Sequence, residues 1–255
     1  MKRSPCKLFV ALFLLCCWRW GYAQDDNPQR FLQWMKDDPV SMVSDLGTKH
    51  FFSIVSVGAG LSVISMNDAA SSRKMRWHYS QSSFLGFANH WGDWRIVVPV
   101  SAGIFGTSML TDDTRFQDAA FTSMQAMLMT KLTVNASKFI FGRERPSQNS
   151  GPYNFNFLDA QSTSFPSGHT ATAFALVTPW VVYYPGPLTY SLMAVPVGTA
   201  IARMARGKHW LSDVTAGAGI GFAMAYHLSK RHLNFQSERV QFTPRVGRNT
   251  LSLTV

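Results

Sequence analysis

Long stretches of apolar and small residues alternate along this chain with short polar joints. Six such stretches stand out: Phe51–Met66, Ile96–Thr111, Asp113–Phe141, His169–Tyr184, Leu188–Met204 and Ser212–Ser229. All are longer than an ordinary strand of about 5–6 residues. Ala, Gly, Ser and Thr are scattered through them, as the close approach of packed helices requires. Pro185-Gly186-Pro187 breaks the fourth stretch from the fifth. The pattern predicts an all-α fold, a bundle of about six core helices. The end of the chain differs. Arg239–Pro244 and Thr250–Val255 alternate apolar with polar residues, with Gly247 between them. That is a weak hairpin signal, and a short β-like tail or a disordered tail fits it equally.

The start of the chain predicts an export signal. Lys2, Arg3 and Lys7 are basic, Leu8 to Cys17 is apolar, and Gly21-Tyr22-Ala23 offers small residues two apart. Cleavage after Ala23 is expected; the alternative is an uncleaved anchor helix. Residues 24–49 read as a polar linker with one short helix around Phe31 to Met35. The expected order is therefore a signal over 1–23, the linker over 24–49, a helical domain over 50–232 and the tail over 233–255.

Whether the helices cross a membrane is not decided by their pattern. A span needs about 20 apolar residues, and several of these stretches meet a charge sooner. If the stretches 51–66, 96–111 and 113–141 all span behind a cleaved signal, Lys138 to Pro146 falls on the inner side, and the Arg73-Lys74-Arg76 cluster suits an inner loop. An exported enzyme needs its site outside. Either some helices do not span, or the first segment is retained and a later element re-enters.

Charge narrows the partners. Lys and Arg number 24 against 14 Asp and Glu, which favours an anionic partner such as a membrane surface, a phosphorylated substrate or a nucleic acid. Only 15 % of residues are charged, below the roughly 25 % of ordinary soluble domains. All three cysteines, Cys6, Cys16 and Cys17, fall in the signal segment, so the exported chain would form no disulfide and no cysteine metal site. A bacterial periplasm suits that.

Three clusters carry candidate chemistry. Lys138 and Arg145 stand seven apart at the end of an apolar helix, two turns that would share a face, with Pro146 closing the exit. Arg presents a planar fork to phosphate oxygens and Lys a point charge; a solvated basic helix end is the plainer reading, and Arg143 would point away. Pro166-Ser167-Gly168-His169 precedes a helix whose first N–H groups face outward, and Gly168 lets an anion come close to them. Ser167 would donate to that anion or cap the helix, and His169 would stand beside it. In the third cluster His209 and Asp213 are four apart, neighbours if they share a helix, and Gly207 permits a bend that turns Arg203 toward them. A carboxylate on one ring nitrogen leaves the other free. Either cluster could also arise without function, as a capped helix beside an incidental histidine or a chance pair.

Together the clusters resemble the type 2 phosphatidic acid phosphatase (PAP2) and vanadium haloperoxidase superfamily. Lys138, Arg145 and Pro146 match its first motif. Pro166, Ser167, Gly168 and His169 match the second, and Arg203, His209 and Asp213 the third. Ala202 departs from the serine usual at that position. The resemblance implies a helical phosphatase in which His209 attacks phosphorus, Asp213 orients its ring and His169 serves the leaving oxygen. Lys138, Arg145, Arg203, Ser167 and Gly168 would hold the phosphate, with no metal and no other cofactor. The expected substrate is a phosphorylated lipid at a membrane, not a nucleic acid, and the expected place is the periplasm or a membrane with the site on its periplasmic side. Alternatives are a vanadium-dependent haloperoxidase, a soluble phosphatase or phosphotransferase on small esters, and a noncatalytic helical protein that binds anionic lipid.

Overall fold

Helix follows helix in the order α1 (Asn27–Asp45), α2 (Phe51–Ser65), α3 (Asp68–Tyr79), α4 (Ser83–Ala88), α5 (Trp94–Ser108), α6 (Thr114–Phe141), α7 (Gly168–Tyr183), α8 (Pro187–Ser191), α9 (Ala194–Ala205) and α10 (Leu211–Arg239). Single 3-10 turns stand at Asn89–Gly92 and Pro146–Gln148. The computed structural model describes residues 27–45, 51–159, 161–239, 245–247 and 250–252. The expected signal over 1–23 lies outside the described residues.

Where the linker was expected to hold one short helix, α1 runs for 19 residues. The chain divides into two units between Gly47 and Thr48, and α1 belongs to the first. In the second unit α7 is the centre, packed by α6, α10 and α9. Small residues make this packing possible. Ala119, Ala120 and Ala126 of α6, Ala171, Ala173 and Ala175 of α7, and Ala225 of α10 are all buried. At Gly221 a Cβ would lie 2.1 Å from the Ala171 carbonyl oxygen, and at Gly217 one would lie 2.5 Å from that of Ser167. The backbones of α7 and α10 thus touch with no side chain between them. Larger side chains fill the gaps around this contact: Met127 and Leu228 are fully buried, each worth about 1.5–3 kcal/mol of burial. Polar groups caught inside are paired. Thr122 Oγ1 lies 2.8 Å from His232 Nδ1 and 3.2 Å from the Tyr183 hydroxyl, and Ser123 Oγ donates to the Leu176 carbonyl at 2.6 Å.

Element ends follow local chemistry. Asp113, expected as the first residue of a helix, is instead the N-cap of α6, its carboxylate accepting from Phe116 N–H at 3.0 Å. The stretch from Leu188 to Met204 is two helices, interrupted at Leu192 and Met193. The basic cluster Arg73-Lys74-Arg76, expected on a loop, lies on helix α3. The last helix continues past the expected boundary at 232 to Arg239. In the tail, β1 (Arg245–Gly247) and β2 (Thr250–Ser252) pair antiparallel, with Val246 opposite Leu251. A hairpin is present, with its first strand at 245–247; of the first expected segment, 239–244, all but Arg239 lies outside the described residues. Among the described residues no helix is long and apolar enough to cross a membrane.

Candidate active site

The site is assembled at one end of α6 and α7. Gly142 stops α6 in the left-handed conformation, φ 51°, its N–H bonded to the Lys138 carbonyl at 2.9 Å. A side chain there would overlap the Asn156 carbonyl. The helix therefore ends before Arg145, and Lys138 and Arg145 do not share a helical face as their spacing suggested. Pro146 does not end the helix; it opens the short 3-10 turn.

What brings the two cations together is the return of the chain. Asn156 N–H bonds the Gly142 carbonyl at 2.8 Å, Glu144 N–H bonds the Asn154 carbonyl at 3.1 Å, and Ser164 N–H bonds the Arg143 carbonyl at 2.8 Å. Thr163 is thereby set between the cations. Lys138 Nζ donates to its carbonyl and Arg145 Nη2 to its Oγ1, the latter at 2.9 Å. Lys138 and Arg145 form no ion pair with a carboxylate among the described residues. Burial, with the fields of Arg145 and Lys131 added, lowers the Lys138 ammonium to about 7.

The second motif lies against the first. Gly168, at the start of α7, is bare toward Lys138, whose Cε would be 3.7 Å from a Cβ placed there. Ser167 is fully buried. It is the N-cap by position, but its hydroxyl does not cap the helix and pairs with Thr170 Oγ1 at 3.0 Å. Its N–H bonds the Asp213 carbonyl at 2.9 Å, which joins the second motif to the third. His169 is half-buried and backs onto Gly92, where a Cβ would come within 2.6 Å of its own. Burial and the charges of Arg203 and His209 push its imidazole down to about 3.

His209 and Asp213 are not on one helix. Asp213 is in the first turn of α10, and His209 precedes that helix. The Asp213 Oδ2 accepts the Trp210 N–H at 2.8 Å, the return bond of a helix-capping arrangement. His209 is 1 % exposed, and its Nδ1 meets the Ser164 carbonyl at 2.7 Å, while Asp213 Oδ2 stands 3.6 Å away. A carbonyl only accepts, so Nδ1 carries the proton and the lone pair sits on Nε2. Burial dominates over the neighbouring carboxylate and lowers the ring to about 4, so it is neutral at pH 7. Burial alone would raise the Asp213 carboxyl. The His209 ring, the Arg143 charge and the Ser164 hydroxyl outweigh it and hold that carboxyl below the usual range. Arg203 is on α9, and Gly207, φ 62°, makes the bend that follows. Arg203 Nη1 donates to Asn89 Oδ1 at 2.9 Å, whereas its Nε is buried with no partner among the described residues.

Several residues that belong to this cluster are not legible from the motifs. Arg143 does not point away. It is 2 % exposed, and its Nη1 bonds Asp213 Oδ1 at 2.6 Å and Ser212 Oγ at 2.7 Å. Asp68, at the start of α3, pairs with the other arm of Arg143 at 2.8 Å. Ser164, Thr163 and Asn89 enter through tertiary contacts alone. The only sequence signal was that Arg143 and Ser164 adjoin the motifs.

The family model described as the PAP2 superfamily matches residues 119–236. That stretch, just under half of the chain, is similar to the PAP2 superfamily. The match contains every position of the three motifs and excludes Asp68 and Asn89. The chain is also 40 % identical, over 91 residues, to a lipid A 1-phosphatase of Porphyromonas gingivalis. That alignment covers 34 % of this chain and 18 % of the relative, so the chain spans only a fraction of that protein's length. Among solved structures, Aquifex aeolicus LpxE matches with a TM-score of 0.50 and 21 % identity over 64 % of this chain and 94 % of its own. A transmembrane PAP2-type phosphatidylglycerolphosphate phosphatase from Bacillus subtilis matches with a TM-score of 0.55 and 17 % identity, over 73 % and 96 %. At those identities the two structures establish the PAP2 fold.

Proposed function

We propose that this protein is a phosphatase that hydrolyses a phosphate monoester or diphosphate of a lipid through a phosphohistidine on His209. One observation carries the reading. A neutral imidazole with its lone pair on Nε2 is set among Lys138, Arg145 and Arg203, none of which has a carboxylate within ion-pair distance among the described residues. Such a cluster is electrostatically incomplete without a polyanion.

The steps follow from these groups. Lys138, Arg145 and Arg203 hold the nonbridging oxygens, with the backbone N–H groups at Gly168 and the Ser167 hydroxyl beside them. Burial first and neighbouring positive charge second keep His169 neutral; the bound dianion reverses the local field, so that ring takes up a proton with the substrate. The Nε2 lone pair of His209 attacks phosphorus, the P–O ester bond breaks, and His169 gives its proton to the leaving oxygen. Water then attacks phosphorus and yields a proton to His169, and the P–N bond pair returns to Nε2. Fixed donors suit phosphoryl transfer, where positioning and charge do most of the work.

The lipid assignment is supported by the similarity to a lipid A 1-phosphatase and by apolar side chains on the outer face of the bundle. Leu128 and Leu132 of α6 and Phe222 and Tyr226 of α10 are all exposed. With the apolar segment after Lys7, they also favour a periplasmic or membrane setting with the site on the periplasmic side. The test is phosphate release from a panel of lipid and soluble phosphate esters. The wild type is expected to act on at least one lipid ester, and His209→Ala to lose about a thousandfold or more. Equal release by both proteins would overturn the reading.

A further inference from the structure

We propose that Asp68, on a helix outside the PAP2 match, is a positioning residue for the His209 centre, acting through Arg143 and Asp213. This rests on the phosphohistidine reading above.

The contacts form one buried chain. Asp68 is fully buried, as are Asp213 and, almost completely, Arg143. Arg143 divides its guanidinium between them: Nη1 to Asp213 Oδ1 at 2.6 Å and Nη2 to Asp68 Oδ2 at 2.8 Å. Ser212 ties the two together, its hydroxyl donating to Asp68 Oδ2 at 2.5 Å and its N–H to Asp68 Oδ1 at 2.8 Å. Arg143 Nη1 also donates to Ser212 Oγ at 2.7 Å. Asp68 therefore grips the first turn of α10, the same turn that carries Asp213, and the arginine that holds Asp213. The rings of Phe155 and Trp210 lie 5.2 and 5.7 Å from the guanidinium carbon of the buried Arg143.

Charge gives this arrangement a purpose beyond packing. Arg143 and Asp213 alone would cancel. With Asp68 present, two carboxylates share one guanidinium, and a net negative charge remains beside the His209 ring. A neutral imidazole does not need it. A ring phosphorylated at Nε2 and protonated at Nδ1 carries positive charge and does. The network is thus set to favour the intermediate and the transition state leading to it over the resting ring, which is how a group accelerates a step rather than merely binding. Pairing and full hydrogen bonding are also what make buried charges tolerable at all.

Asp68→Asn is the direct test, because an amide keeps the shape and one acceptor while removing the charge. Turnover of phosphatidate in mixed micelles is measured for the wild type, Asp68→Asn, Asp213→Asn and the double variant, with melting curves for each. The expected result for Asp68→Asn is a fall in kcat of about 10- to 100-fold, the loss typical of groups that orient a reacting ligand, at near-constant KM. Asp68→Glu should restore part of it, and the Asp68→Asn loss should largely vanish in the Asp213→Asn background. A wild-type kcat in Asp68→Asn, or the same fold-loss in both backgrounds, overturns the proposal. Should Asp68→Asn not fold, Ser212→Ala reads the same link while both ion pairs stay in place. A severalfold loss of kcat is expected, and wild-type kcat overturns the proposal. Failure of the underlying reading looks different: wild-type protein inactive on every ester, or His209→Ala as active as wild type.

Discussion

Lys138 is a cation whose charge depends on its company. It is half-buried and loses water on that account, and Arg145, Lys131 and Arg203 add positive potential around it, with only Asp213 opposing them, so its ammonium titrates at about 7. An oxyanion seated among these groups restores its charge. The sign is fixed: above pH 7 the empty site loses this proton, and binding must bring it back, so affinity for an anion of constant charge falls as pH rises. Sulfate keeps its charge over this range. Calorimetric titration is expected to show sulfate binding that weakens steadily between pH 7 and 9, and an affinity independent of pH there would count against a Lys138 of lowered basicity in the anion site. The neighbouring His209 shows how a single contact sets chemistry. The Ser164 carbonyl at 2.7 Å, closer than the carboxylate at 3.6 Å, decides which ring nitrogen keeps its proton.

At the scale of elements, the site depends on how near α7 and α10 come to each other. Ser167 N–H reaches the Asp213 carbonyl only because Gly217 and Gly221 let the two backbones touch. Gly221→Ala would put a methyl within 2.1 Å of the Ala171 carbonyl, a rigid backbone atom. The helices must then separate. The expected cost is about 1–3 kcal/mol, in the range of overpacked cores, measured as a lower midpoint in denaturant unfolding; an unchanged midpoint would mean the helices are not held this close. Element extents were read well where an apolar run met a cap or a breaker, as at Asp113 and Pro185. They were read poorly where local composition misled. Arg73, Lys74 and Arg76 made α3 look like a loop, yet the helix is anchored at Asp68 by partners distant in sequence. No spacing rule could show this, because the anchoring residues come from the loop after α6 and the start of α10.

For the whole molecule, buried ionisable groups set how stability depends on pH. His209 is fully enclosed and titrates at about 4 when folded, against an ordinary value of 6.5. Between these values the unfolded chain binds a proton that the folded ring refuses, so stability rises with pH. His169, held at about 3, acts in the same sense, and Asp213, held low by its neighbours, extends the loss to more acidic pH. Above pH 7 the lowered Lys138 ammonium makes stability rise further with pH, and thermal melts are expected to shift to lower temperature as pH falls from 6.5 toward 4. His209→Gln should flatten that slope, and an equal slope in both proteins would contradict the burial of a neutral ring. The sequence by itself determined the helical class, the longest helices and the three motifs, because hydrophobic periodicity, breakers and reactive residue types are local properties of a chain. Only the tertiary structure decided that Lys138 and Arg145 meet across Thr163 rather than along a helix. It alone decided that Ser164 sets the tautomer of His209, and that Arg143 turns inward to join Asp68 and Asp213. Those facts depend on where a chain returns to itself, and a buried charge finds its partner through the fold and not through its neighbours in sequence.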